Sequence, residues 1–314
     1  MLTPGTLRRL RTRGSNLLAA FTWRCVDNLG PSLAYRLSSQ RPSGEAARVL
    51  SELNRNGIAI SSVSRLLGDV SCYTELRVTL QQLEEDSADE IARARERSLK
   101  SDDWKSYVFK LLGERPILDP QSVYVRFALQ PPILQIANSY FGMRTRLRFY
   151  NAWHNFATNG PARDSQLWHR DPEDRFILKV FVYLSDVCDG AGPFYYASGS
   201  HGKGNLRRLP AGVSQRGARR SSDAEMGLVV PPDSWVKAVG PEGTVIFADT
   251  RGFHKGGFAR SKERILYNCM FTSQATKWPE CFDRKPTDSP ASLGAEQAFA
   301  LGNQASLASL FKRR

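Results

Sequence analysis

The series of short β-rich segments between residues 147 and 273 restricts the fold more than any other feature. Apolar β-branched and aromatic residues dominate the segments, and Gly, Pro, Asn and Asp turns separate them. The segments are LRFYNAWHNF, SQLWHRD, RFILKVFVYLSDV, GPFYYASGS, SWVKAVGPEGTVIFADTRGFHKGG and RILYNCMFTS. Because no helical pattern lies between them, the spacing predicts an antiparallel barrel or jelly roll rather than alternating βαβ units.

Helical patterns dominate the chain before this region. GEAARVLSELNRNG carries Leu and Val at helical spacing before a Gly stop, and the stretch from Cys72 to Gly113 has apolar residues on an interrupted 3.6-residue period. Between them, GIAISSVS has the composition of a short strand. DPQSVYVRFALQPPILQIANSYFG begins with an Asp-Pro helix signal, and its Pro-Pro pair predicts a break or kink.

These patterns predict three regions in a chain of 314 residues, a length that can bury a substantial core. Residues 1–115 are expected to form a mainly helical segment that packs on the core. Residues 116–276 form the β core, and residues 277–314 form a tail with a short helix. The predicted fold class is therefore a mostly β core with flanking α-helices.

Composition narrows the partners and the compartment. A formal net charge of +13 favours anionic partners, although charge alone does not choose among an acidic substrate, a lipid surface and nucleic acid. Five widely spaced cysteines without a C-x-x-C pair predict neither a disulfide framework nor a zinc knuckle. Cys188 and Cys269, in or beside strand-like runs, are predicted to be small buried residues.

The amino-terminal sequence indicates a cytoplasmic protein. Its apolar piece LLAAF is too short for a secretory signal, and a membrane span needs about 20 apolar residues. The arginines that precede LLAAF favour a solvated basic arm, with peripheral contact to an acidic lipid surface as the alternative. They are Arg8, Arg9, Arg11 and Arg13.

A basic insertion, residues 201–227, interrupts the β-rich region. Before its first acid, Asp223, it holds only cationic charges: Lys203, Arg207, Arg208, Arg216, Arg219 and Arg220. Two interpretations stand side by side, a solvated loop and a lid that attracts an anionic substrate.

The sequence LWHRDPEDRF places a histidine and an aspartate two residues apart, just before a long apolar strand. His169 and Asp171 point to the same face of an extended chain, because side chains alternate with a period of two. His254 follows another apolar strand, and Arg264 opens the next one. Two imidazoles and one carboxylate form the facial triad of non-haem Fe(II) oxygenases. The planar guanidinium of Arg264 suits the carboxylate of a 2-oxo acid.

The run WHRDPEDRFILKVFVYLSDVCDGAGPFYYASGSH, followed by GTVIFADTRGFHKGG and ERILYNCMF, resembles the phytanoyl-CoA dioxygenase-like branch of the Fe(II)/2-oxoglutarate-dependent oxygenases over residues 145–273. The matching positions are Trp168, His169, Asp171, Tyr183, Leu184, Asp186, Gly192, Pro193, Gly199, Ser200, His201, His254 and Arg264. The resemblance implies a double-stranded β-helix (a jelly roll, cupin-like) as the catalytic core, buttressed by the amino-terminal helices. It further implies Fe(II) on His169, Asp171 and His254, 2-oxoglutarate anchored by Arg264, and dioxygen as co-substrate.

Rival residues exist for two of these roles. Asp174 and Asp249 are alternative carboxylates, but Asp174 lies at an odd distance from Asp171 and Asp249 is expected to cap the turn before His254. Arg260 competes with Arg264, but it lies in the GFARSKE turn rather than at the start of a strand.

Further residues are predicted around the site. Lys179 is a charge within an apolar strand; it either assists co-substrate binding or pairs with a structural carboxylate, since an unpaired buried ammonium is costly. Trp168 is placed beside the co-substrate, whereas His154 is assigned to packing. The candidates for substrate binding are His201, Asn151, Trp153, Arg207 and Arg208. For His201 two roles stay open: it either contacts the substrate or orders its own loop.

The favoured function is hydroxylation of an unactivated C–H bond in an anionic small molecule or glycolipid, with release of succinate and CO2. Asp171 argues against halogenation, since chloride would need the carboxylate's position, whereas epimerisation, desaturation and cyclisation stay open. The alternative is a non-catalytic jelly-roll module that binds a polyanion through the basic insertion. Nucleic acid is not expected as the partner, because that insertion lacks the interleaved aromatic residues that base stacking needs.

Overall fold

The structure is a computed structural model that describes residues 18–38, 40–100, 105–206, 208–210, 220–284 and 293–302. The basic amino-terminal arm lies outside these residues, as do residues 207 and 211–219 of the basic insertion. Within the described part, none of the helices is both long and apolar enough to cross a bilayer. The five cysteines are free thiols; Cys269 is buried, but Cys188 is exposed beside a short turn, so the prediction of burial is wrong for Cys188.

Helices occupy most of the chain before residue 142. After a short π-helical segment at Trp23–Asp27, the α-helices are α1 (Leu29–Ser38), α2 (Gly44–Asn56), α3 (Val63–Leu66), α4 (Ser71–Asp86), α5 (Ala88–Lys100), α6 (Val123–Ala128), α7 (Pro131–Phe141), α8 (Asp223–Gly227) and α9 (Ala295–Ala300). Single 3-10 turns lie at Asp164–Gln166, Asp189–Ala191 and Pro232–Ser234.

The strands are β1 (Ile58–Ser62), β2 (Val108–Lys110), β3 (Ile117–Leu118), β4 (Arg146–Asn155), β5 (Leu178–Tyr183), β6 (Phe194–Ala197), β7 (Trp235–Ala238), β8 (Thr244–Asp249), β9 (His254–Gly256), β10 (Arg264–Thr272) and β11 (Asp283–Arg284). A six-stranded sheet has the order β1-β8-β5-β10-β4-β2, and a three-stranded sheet has the order β7-β6-β9. All pairs in these two sheets are antiparallel; β3 and β11 form a separate parallel pair. The expected β core with flanking helices is confirmed.

Strand β5 shows how the layers are arranged. Its side chains alternate, so Val180 and Val182 pack with the helices, whereas Phe181 and Tyr183 pack between the two sheets. Phe194, in the three-stranded sheet, lies opposite them. Both faces of β5 are therefore covered, which explains why its sequence is almost continuously apolar.

Local signals account for several boundaries. The Pro-Pro pair separates α6 from α7, with Pro131 in the first turn of α7, where its missing N–H costs nothing. GIAISSVS contains β1, which pairs with β8. The helix predicted to continue to Gly113 is not present at Val108–Lys110, which forms β2 and pairs with the edge of β4. Strand pairing overrides the helical periodicity there, and that part of the prediction is wrong.

Candidate metal centre

Three buried side chains meet between the sheets at the end of β9. One ligand atom from each of His169, Asp171 and His254 lies within 4.8 Å of the others. The two histidines face each other as an antiparallel bridge, with backbone N–H to O distances of 2.9 and 3.0 Å. The backbone N–H of Asp171 donates to the carbonyl oxygen of Thr250, which holds the carboxylate on the same side.

Backbone carbonyls set the orientation of both imidazoles. His169 Nδ1 lies 2.8 Å from the Leu167 oxygen, and His254 Nδ1 lies 3.0 Å from the Gly252 oxygen. Each Nδ1–H therefore donates to a carbonyl, which leaves both Nε2 atoms facing Asp171 at 3.8 and 3.6 Å. Metal-binding histidines characteristically use this arrangement, because it fixes the tautomer and the ring plane.

The donor set fits a single divalent cation. Ligand atoms bound about 2.0–2.2 Å from one ion lie at most about 4.4 Å apart, and both Nε2–carboxylate distances satisfy this limit. Burial lowers the pKa of His254 to about 4 and holds the pKa of His169 well below its usual value, so both rings are neutral near pH 7. Neutral imidazoles and an ionised carboxylate are the forms that bind metal.

Lys179 supports the ionised state of Asp171. Its Nζ lies 2.7 Å from Asp171 Oδ2; Asp171 is buried, and 18% of the Lys179 side chain is exposed. Burial opposes ionisation of Asp171, but the Lys179 ammonium, together with the two nearby histidines, holds the pKa of this carboxyl below its usual range. The lysine therefore both lines the cavity and pairs with a carboxylate.

The three side chains open into a cavity of about 390 Å³, here called the metal cavity. Its apolar wall includes Phe181, Phe194 and Leu266. Arg264 lies in its wall and is buried; Nη1 donates to the carbonyl oxygen of Gly192, and Nε has no hydrogen-bond partner among the described residues. A buried donor left over in this way fits the carboxylate of a dicarboxylic acid.

Trp153 is the predicted substrate residue that lines the metal cavity. The structure places Asn151 elsewhere: its amide holds the backbone of Leu112 and Gly113. Strand β4 bears Trp153 and Asn151 at alternate positions, so sequence spacing alone suggested a shared face. The prediction that Asn151 lines the pocket is therefore not met.

Trp168 and His201 also lie outside the metal cavity. The Trp168 indole packs in a separate apolar cluster with Trp235 and Phe253, and its Nε1 donates to Asp223. Strand alternation turns Trp168 away while it turns His169 inward, so the expected co-substrate contact is not made. His201 Nε2 lies 3.1 Å from the Asn54 oxygen, which ties the GSH turn to α2.

The structure also locates the remaining arginine candidates and the rival carboxylate Asp249. Arg208 is exposed and does not line the metal cavity, whereas Arg207 lies outside the described residues. Arg260 stacks on Phe258 away from the metal cavity. Asp249 accepts from the backbone N–H of Arg251, as expected for a turn cap.

Asp174 binds structural donors rather than the metal centre. It accepts from Trp23 Nε1 and from the backbone N–H of Ser273. The amino-terminal segment is thereby attached to the end of β10.

Sequence reasoning missed one feature of the cavity rim. Lys105 and Arg220 both line the cavity, and both pair with buried Asp164 at 3.5 and 2.7 Å. Lys105 and Asp164 have positive φ angles of 57° and 45°, an uncommon conformation that is frequent at functional sites. Lys105 had no sequence signal, because it lies between a helix and a strand where no periodicity applies.

The family model for phytanoyl-CoA dioxygenase (PhyH) matches residues 67–265, which contain the three candidate ligands and Arg264. The chain belongs to the phytanoyl-CoA dioxygenase family. Iron and 2-oxoglutarate are the cofactor and co-substrate of this family, and the His-Asp-His set and Arg264 described above fit them. No curated protein matches the chain.

Several solved enzyme structures match the chain. The epimerase SnoN in complex with Fe3+, alpha ketoglutarate and nogalamycin RO is 17% identical, with 80% of this chain and 93% of that chain covered and a TM-score of 0.47. The carbocyclase SnoK is 16% identical, with 77% and 90% covered and a TM-score of 0.49. HygX from Streptomyces hygroscopicus with nickel and 2-oxoglutarate bound is 15% identical, with 77% and 90% covered and a TM-score of 0.47.

Proposed function

We propose that this protein is an Fe(II)- and 2-oxoglutarate-dependent dioxygenase that hydroxylates an unactivated C–H bond of an anionic small molecule or glycolipid. The observation that carries the proposal is the convergence of His169, Asp171 and His254 on one buried cavity that also contains Arg264. The reaction would release succinate and CO2.

We also propose that the two facing sheets are the walls of a double-stranded β-helix. The antiparallel pairing in both sheets and the apolar cluster between them support this fold, because a jelly roll closes two such sheets around an interior site. The metal centre then lies where that interior opens, beside β9.

Each side chain has a distinct role in this scheme. His169, Asp171 and His254 would hold Fe(II), which supplies the activation of dioxygen that couples decarboxylation of 2-oxoglutarate to oxidation of a C–H bond. Arg264 would bind the distal carboxylate of 2-oxoglutarate through its free Nε and its remaining N–H groups. Lys179 keeps Asp171 ionised and in place.

The charge of the metal cavity supports an anionic substrate. Cationic residues exceed acidic ones among its lining residues, since Asp171 and Glu173 are the acids and the cations are Lys105, Arg170, Lys179, Arg220 and Arg264. Such an excess attracts anions into a water-poor site. Trp153 offers an indole N–H with no partner among the described residues, a donor available to a polar group of the substrate.

The proposal is tested by succinate formation from 2-oxoglutarate. Anaerobically iron-loaded protein is exposed to air with and without a panel of acidic metabolites, and His169→Ala is assayed in parallel. Turnover that disappears in His169→Ala is expected, and a metabolite that stimulates turnover identifies the substrate class. Asp189→Asn, which changes an exposed carboxylate paired with Lys237, is the matched control. Absence of turnover in the wild type under all conditions would contradict the proposal.

A further inference from the structure

A second cavity, of about 400 Å³, shares Arg170 with the metal cavity. Three guanidinium groups line it, those of Arg170, Arg175 and Arg251, and it is here called the arginine cavity. Leu206 and Leu209, from the basic insertion, form part of its wall. The metal centre does not account for this cluster, because none of its arginines forms a salt bridge with the side chains of the candidate ligands among the described residues.

Two of these arginines are held in fixed positions. Arg170 stacks on the ring of Phe253 at 4.0 Å and donates from Nη2 to the backbone carbonyl oxygen of Ser200 at 3.0 Å. Arg251 donates from Nη1 to the backbone carbonyl oxygen of Asp171 at 2.8 Å. Each guanidinium has five N–H groups, so most of their donors remain for a ligand. Fixed planar donors of this kind bind oxyanions in a bidentate manner.

The carboxylates nearest the arginine cavity lie outside its lining: buried Asp249 interacts electrostatically with Arg170, and Glu173 with Arg251. Among the described residues that line it there is neither aspartate nor glutamate. The described part of the chain shows no salt bridge for Arg170, Arg175 or Arg251. Arg170 and Arg251 nevertheless repel each other, and an anion bound in the cavity relieves that repulsion.

We propose that the arginine cavity is an oxyanion site for a phosphate- or carboxylate-bearing group, separate from the site for 2-oxoglutarate. The basic insertion contributes Leu206 and Leu209 to its wall, and exposed Arg208 lies between these two residues in the sequence. A ligand in the cavity contacts the segment that carries His169 and Asp171, because Arg170 lies between them and Arg251 holds the Asp171 carbonyl.

The test is isothermal titration of the metal-free protein with inorganic pyrophosphate and, separately, with the tricarboxylate tricarballylate. Saturable one-to-one binding of at least one probe is expected, and the tighter probe identifies a phosphate or a carboxylate ligand. Arg175→Gln and Arg251→Gln should each weaken binding about ten- to a hundredfold, the effect of losing a charge-assisted hydrogen-bonding group. Arg175 is exposed and its side chain makes no hydrogen bond or salt bridge to the described residues, so this variant should fold normally.

Two controls locate the binding. Arg93→Gln changes an exposed arginine on α5, and Arg264→Gln removes the arginine of the metal cavity; both should keep the wild-type affinity for pyrophosphate. The proposal is overturned if neither probe binds saturably, if binding survives in both Arg175→Gln and Arg251→Gln, or if Arg264→Gln alone abolishes it. The experiment uses neither iron nor 2-oxoglutarate, so its failure would leave the proposed oxygenase activity standing.

Discussion

Two clusters in this protein combine buried histidine with carboxylates, and they use the imidazole in opposite ways. In the metal centre, His169 and His254 each give one nitrogen to a backbone carbonyl and keep the other free. In a second group, here called the outer cluster, His154 lies between Glu84 and Glu263, at 2.8 and 2.6 Å. A buried histidine can bind a metal only where its second nitrogen is left available.

The carboxylates account for the electrostatic difference between the clusters. Burial alone would lower the pKa of His154, but its hydrogen bonds to Glu263 and Glu84 outweigh burial and raise it. Arg95 donates to both carboxylate oxygens of Glu263. Burial raises the pKa of Glu263, but Arg95 and His154 outweigh burial and lower it to about 2. The outer cluster is therefore a charged structural network, whereas the metal centre holds neutral imidazoles.

The largest expected effect comes from a substitution that disrupts the metal centre alone. Asp171→Asn removes the anionic ligand and should lower oxygenase turnover by more than about a thousandfold, because the metal loses its only charged donor. Turnover is measured as succinate formed from 2-oxoglutarate. His154→Ala, which changes the outer cluster, should retain iron binding, and an equal loss of iron in both variants would erase the distinction between the clusters.

The next effect separates the arginine of the metal cavity from a nearby arginine outside both clusters. Arg264→Gln should weaken 2-oxoglutarate binding about a hundredfold, since a buried charge-assisted pair is lost. The measurement is a 2-oxoglutarate titration of the metal-loaded protein under anaerobic conditions. Arg260→Gln, a nearby arginine stacked on Phe258, is the control and should leave the affinity unchanged. Similar losses in both variants would show that Arg264 has no specific role.

A smaller effect tests the outer cluster as a stabilising network. His154→Ala leaves Glu84 and Glu263 without their shared partner and should lower the free energy of unfolding by about 2 kcal/mol. Urea denaturation at about pH 6 measures it. A loss below about 0.5 kcal/mol, the usual range for surface substitutions, would contradict the structural role.

The smallest effect is a difference in the sign of the pH dependence. The raised pKa of His154 gives stability that is present below its ordinary value of about 6.5 and is lost as pH rises through the raised pKa. The pKa of His254 is lowered to about 4. The metal-free protein therefore loses stability as the pH falls from about 6.5 towards that value.

Unfolding free energies of metal-free protein at about pH 5 and about pH 8 measure this contrast. The loss of unfolding free energy caused by His154→Gln should be greater at the lower pH. For His254→Gln, the unfolding free energy relative to the wild type should be higher at the lower pH than at the higher pH. Parallel pH profiles in the two variants would contradict the assignment of opposite protonation states.

The sequence predicted those parts of the site that depend on strand alternation and chain order. His169 and Asp171 are two residues apart on extended chain, and the structure brings both to His254. The same alternation places Trp168 in an apolar cluster, so applying it to that residue would have corrected the co-substrate assignment.

Contacts between distant segments were beyond the reach of the sequence. The strand at Val108–Lys110 forms only because the edge of β4 is available to pair with it. Likewise, Lys105 and Arg220 reach the metal cavity from two separate segments that meet at Asp164. No local pattern encodes such a meeting, because it depends on how the sheets and loops pack.

The most direct measurement of the central claim is anaerobic isothermal titration of the metal-free protein with Fe(II), repeated with Asp171→Asn and His154→Ala. The metal centre described here predicts one Fe(II) per chain in the wild type and in His154→Ala, and no specific binding in Asp171→Asn. Absence of Fe(II) binding by the wild type, or binding that Asp171→Asn leaves intact, would contradict it.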